Sequence, residues 1–282
     1  MKKYQFTGEE KLMFGRTLKR IRAAIDFGNV KAGDIGGWIE KESNLSQIGS
    51  AWVYGNAQVS GNARVSGDAQ VYGNARVSGN AQVSGNAGVS GDAQVFGDAQ
   101  VSSDARVYGN AWVYGNAQVS GNARVYGNAG VSGDARVSSD AWVSGDARVF
   151  DNALVFDNAV VCGNAWVSGN AQVFGDARVS GNAQVFGDAW VSGNVQVFGD
   201  AQVSGGEWEK SPCYIQGTRW AINISSNDTV QCGCQNHTWQ EWHDRYLEIS
   251  NEHDADDVLE EYIRYFNLLC DMYGHVDCRI GE

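Results

Sequence analysis

"VSGNARVSGDAQVYGNARVSGNAQVSGNAGVSGDAQV", residues 59–95, sets Val at every sixth position and follows each with Gly and then Asn or Asp. The period runs unbroken from Val53 to Val203, 26 valines in all. The unit is V-x-G-[N/D]-A-x. Its Ala fails once, at Val195, and Asp151 and Asp157 stand where the motif has Gly. As an extended segment, A-x-V-x alternates, with Ala and Val on one side and the two x residues on the other. The inner pair is small and apolar throughout, whereas x is mostly Gln, Arg, Ser, Tyr, Phe or Trp. Gly-Asn and Gly-Asp then break the strand, because both residue types tolerate positive φ.

Short strands with a corner every six residues and one repeated inner set wind into a parallel coil. The V-x-G-[N/D]-A-x unit resembles the hexapeptide repeat of left-handed parallel β-helices. That resemblance implies a triangular coil of three hexapeptides, 18 residues per turn. Sorting the corner residues by 18 tests the implication. One column reads Asp68, Asn86, Asp104, Asn122, Asp140, Asn158, Asp176, Asn194, and in none of the three columns do two Asp stand next to each other. Sorting by 6, 12 or 24 brings Asp residues together, and stacked carboxylates ~4.8 Å apart repel. The expected fold is mainly β: a triangular left-handed parallel β-helix of about nine coils, a rod on the order of 40 Å long.

The flanks read as an N-terminal β cap (1–50) and a small α+β C-terminal domain (206–282) around the repeat (51–205). Solenoids need such caps because their end coils expose unpaired strand edges. "TLKRIRAAI" (17–25) reads as a strand, and "VKAGDIGGWIEKESNLS" (30–46) as a turn-rich lead into the first coil. "KYQFTGEEKLMF" (3–14) has no clear period. In the tail, a hairpin is expected around Ser226-Asn227-Asp228. One helix should begin at the Thr238/Glu241 capping box, and a second should end at Gly274. "KAGDIGGWIE" and "NLSQIGSAWVYGNA" resemble the hexapeptide-repeat proteins that phages and prophages carry, which implies a setting rather than an activity.

Formal charge is −12, with no Lys in 53–203 and an acidic tail. That balance argues against nucleic acid and against an anionic membrane surface as partners. No apolar run follows Met1 and none approaches a membrane span, so a soluble cytoplasmic chain with free thiols is expected. The acyltransferases and zinc enzymes of the hexapeptide class need histidines on the coil. Here all four (His237, His243, His253, His275) lie in the tail, so no enzyme and no cofactor is expected. Cys232, Cys234 and His237 form a weak alternative metal set whose C-x-C-x2-H spacing fits no strong zinc pattern.

Sorted by face, a polar row of Arg, Gln and Ser gives way late in the coil to Leu154, Phe156, Phe174 and Trp190, with Phe150 and Trp166 outward around the same coil. Such a patch marks a contact, made either with a partner or with the C-terminal domain folded back over it. The expectation is a non-enzymatic binding or assembly protein. It would be homo-oligomeric (dimer or trimer) through this face or its tail, with a host factor as a further partner and counter-defence as one role such binding would serve. A virion component is the second reading and a hexapeptide acyltransferase the third.

Overall fold

A computed structural model of the chain describes residues 1–281. From Trp52 to Val203 the chain forms two-residue strands, one per hexapeptide, each ending on the repeat's Val. Up to Gln184 each pairs in parallel with the strand 18 residues on, as in Gln82↔Gln100↔Gln118, and Trp190 then pairs with Glu207, 17 on. The rule holds on all three faces and gives a three-sided solenoid with two nine-stranded sheets and one twelve-stranded sheet. Every repeat Val and Ala from Ala57 to Val203, with Val195 in its one Ala position, is buried to within one per cent.

The corners show why Gly, Asn and Asp recur. The corner glycines adopt φ near +70°, and a Cβ on Gly121 would lie 2.7 Å from the backbone nitrogen of Ser139 on the next coil. Ser103, Ser139, Asp151 and Asp157 take the same conformation without being Gly. The Asp151 and Asp157 carboxylates each accept a backbone N–H from the following coil, at 3.2 and 3.3 Å.

The Asn/Asp columns are hydrogen-bond ladders as well as a way of avoiding like charge. Asn74, Asn80, Asn86, Asn116, Asn122, Asn128, Asn158, Asn170 and Asn182 each donate their side-chain amide to the Asp one coil further on, at 2.8–3.0 Å. The remaining corner carboxylate, Asp68, accepts the Ser50 backbone N–H at 2.9 Å.

The N-terminal cap is a hairpin of β1 (Tyr4–Met13) and β2 (Arg16–Ala23) that extends one face of the solenoid through β3 (Ile35–Ile39). The segment without a readable period is therefore a long edge strand. Tyr4 is its one fully buried hydrophobic side chain, and pairing to β2 holds it rather than an apolar face. The coil itself begins earlier than the Val repeat, because Ile39 pairs Val59 and Leu45 pairs Val65.

Carbonyls that a further coil would have met are met instead by side chains. Lys3 Nζ donates to the carbonyls of Ala51 (2.9 Å) and Gly49 (3.3 Å), and the buried Asn44 amide donates to those of Ala63 (2.8 Å) and Gly61 (3.1 Å). Lys3 is only 2% exposed, and burial lowers its ammonium to about 8 against the pull of Asp68. Its folded pKa thus lies below the unfolded value of 10.5. Between those values the unfolded chain holds more protons, so this contribution to stability grows as pH rises and is lost as pH falls through 8. In Lys3→Met the cap should melt with less pH dependence between pH 8 and 10 than in the intact chain. Equal slopes in thermal melts across that range would refute this account of the buried ammonium.

At the other end the expected hairpin around Asn227-Asp228 is the middle of a four-stranded antiparallel sheet (Tyr214–Gln216, Ala221–Ser226, Thr229–Cys232, Gln235–Thr238). One face of it meets the last coil through polar groups. Ser204 N–H donates to the Ser225 carbonyl (2.8 Å), and the Asn223 amide donates to the Gln202 carbonyl (3.0 Å). The other face packs under α1 (Trp239–Glu252) and α2 (Leu259–Tyr273). Helix α1 opens on the Thr238/Glu241 capping box, and α2 closes on Gly274 in the left-handed conformation. No helix among the described residues is long and apolar enough to cross a membrane.

Candidate functional site

The coil register puts Leu154 between Arg136 and Gln172, and Gln172 beside Trp190. Side chains 18 residues apart therefore lie in one row, and rows one x position apart lie side by side. Phe156 stacks on Phe174 with ring centroids 4.8 Å apart and planes 2° from parallel. Both rings are half-buried by the stack, while Trp190 remains 43% exposed. The C-terminal domain leaves Trp190 open because it joins the coil at the end, through Gln202 and Ser204 and through Tyr214 against Phe198.

Phe150 and Trp166 do not belong to that face. Trp166 pairs with Arg148, and Arg148 with Gly130, so both aromatics lie on the neighbouring face of the prism. The six-residue phase separates 148–150 from 154–156 by the corner at Asp151-Asn152, and that corner turns the chain onto the next wall. Phe150 meets Trp166 edge-on at 6.1 Å, and the Arg148 guanidinium lies over the Trp166 ring at 5.8 Å.

These residues line an open cavity of about 530 Å³ with Trp112, Tyr114 and Asp146. Its floor is Gly130, which sits between Trp112 and Arg148 in the sheet. A Cβ there would meet nothing within 4 Å, and the φ of Gly130 is not among the positive ones. Neither conformation nor crowding requires this glycine, and Gly weakens a strand. Its effect is to leave a gap in a row of large side chains. The signal was present in the sequence as the one Gly between Trp112 and Arg148 at 18-residue spacing.

The tail residues of the alternative metal set do not converge. Cys232 lies on the sheet beneath the helices, and burial pushes its thiol up to about 12. Cys234 is exposed. His237 packs edge-on against Trp242 at 5.2 Å, and its Nε2 lies 3.0 Å from Gln235 Oε1. Among the described residues no three His, Cys, Asp or Glu side chains are grouped so as to hold a metal ion. A thiol held at that value stays protonated near neutrality and is a poor nucleophile.

No curated protein matches the chain. The YdcK beta solenoid repeat family matches residues 51–66, 57–69, 69–85, 81–97, 99–115, 117–133, 147–163 and 171–187. All of these segments fall on the coil, none on the cap or the C-terminal domain. Repeat, parallel register and family matches agree that this chain is a β-solenoid repeat protein, similar in its coils to the YdcK repeat.

Proposed function

We propose that the chain is a rigid scaffold that binds a protein partner through the aromatic walls of its later coils and catalyses no reaction. The observation that carries this reading is the pair of tryptophans, Trp190 on the wall of the Phe156–Phe174 stack and Trp166 on the neighbouring wall, each more than 40% exposed. Tryptophan is enriched at interface centres, where it buries a large area at little entropic cost. The walls that carry them are stiff, since each strand bonds to the coil below and above. The absence of His and Lys from 53–203 supports a surface that binds rather than reacts.

A second copy of the chain is the first partner to test. The resemblance of the flanks to phage and prophage proteins supports a host factor as a heterologous partner. Changing Phe156 and Trp190 together to Ser should leave the far-ultraviolet circular dichroism unchanged, since both side chains lie outside the Val/Ala stack. It should lower the mass measured by light scattering. A monomeric mass for the intact chain would rule out self-association. A partner retained equally by the intact chain and the double variant would rule out this wall.

A further inference from the structure

The C-terminal domain has a cavity of its own, of about 100 Å³, between its sheet and the two helices. The walls are aromatic and aliphatic: Trp220, Trp242, Tyr246 and Phe266 with Ile222 and Ile263. No Lys, Arg, Asp or Glu lines it. One polar group is out of place there. Ser250, near the end of α1, lines the cavity and is 6% exposed, yet its Oγ is buried without a hydrogen-bond partner. A buried hydroxyl without a partner is costly, and such groups in native structures need a reason. A serine on a helix could be replaced by alanine at no geometric cost. The exposed Cys234 and His253 mark the open side of the cavity, where Gln235 Nε2 lies 2.9 Å from His253 Nε2.

We propose that this cavity binds a small uncharged aromatic molecule of a single ring, with Ser250 Oγ bonding to the ligand's single polar group. Size sets the first limit, because apolar cavities of about 150 Å³ accept benzene and this one, at about 100 Å³ and open on one side, has room for no more than one ring. Charge sets the second, since no Lys or Arg lines the cavity, the imidazole of His253 lies at its exposed rim, and an apolar interior penalises a carboxylate. The hydroxyl sets the third, because a ring bearing an O–H or N–H satisfies Ser250 where a bare ring leaves it unpaired. The site is independent of the coil walls and of the partner proposed for them.

Phenol, benzene and benzoate are suitable probes, titrated calorimetrically into the full chain. Phenol should bind with a Kd on the order of 0.1–1 mM, benzene more weakly and benzoate not at all. In Ser250→Ala, phenol should lose about tenfold in affinity and benzene none. The same variant, free of ligand, should melt no lower than the intact chain, which shows that the loss is not one of fold. Three results would each overturn the proposal: neither phenol nor benzene binds, benzoate binds as tightly as phenol, or Ser250→Ala keeps full phenol affinity.

Discussion

Replacing Val131 with Asp should split the rod. Val131 is fully buried and stacks between Val113 and Val149, each fully buried too. A carboxylate there would face only Val and Ala, with no donor within the stack. Burying an unpaired charge costs at least ~4 kcal/mol, while trimming the same valine to Ala should cost about 1–3 kcal/mol. In a solenoid each coil touches only its neighbours, so the damage spreads outward from the insult rather than through the whole chain. Hydrogen exchange should therefore accelerate in the coils on both sides of residue 131, with the N-terminal hairpin and the C-terminal helices still protected. Acidification should restore part of the protection, because a neutral carboxyl is cheaper to bury. Uniform loss of protection from end to end would mean that the coils are not nearest-neighbour units.

Trp52→Ala should release the N-terminal cap. The Trp52 ring is 1% exposed, meets Phe27 edge-on at 5.3 Å and Tyr4 at 6.2 Å, and lies over Gly36 so closely that a Cβ there would stand 2.6 Å from it. It joins the first coil to the hairpin. Truncating such a ring costs about 3–5 kcal/mol, and most of that falls on the cap rather than on the coils. Once released, the cap no longer covers the first coil, and an uncovered strand edge recruits other chains. The expected result is rapid proteolysis within residues 1–50 together with concentration-dependent association. A variant that resists protease as the intact chain does, and stays at the same mass, would show that β1–β3 are held by something other than this ring.

The solenoid was legible because its inner set varies only once, at Val195: one Val and one Ala per hexapeptide give the period, and the Asp columns select 18 over the other spacings. The edge strand at 4–13 was not legible, because pairing to β2 holds it and leaves little apolar alternation to read. The four-stranded sheet was only half read for a related reason. Its solenoid-facing side is built from Asn223, Ser225 and Gln231, which are buried but polar, so hydropathy does not mark it. Of the candidate residues, Leu154, Phe156, Phe174 and Trp190 fall on one wall as the 18-residue sort implies. Phe150 and Trp166 are outward on the same stretch of coil but around the corner at Asp151-Asn152, on the neighbouring wall. The gap over Gly130 requires register and side-chain volume together, and the Ser250 cavity depends on how two helices close over a sheet.

The Asn-to-Asp ladders also restrict how long the rod can be. Along the edge that starts at Asp68, acid and amide alternate coil by coil. Excising residues 69–86 would seat Asp104 directly against Asp68, carboxylate on carboxylate with no amide between them. Excising 69–104 would seat Asn122 there instead and leave its bond to Asp140 intact. On that edge the protein can shed or gain coils in pairs, and a single-coil change carries an electrostatic penalty, so the corners act as a ruler as well as a fastening.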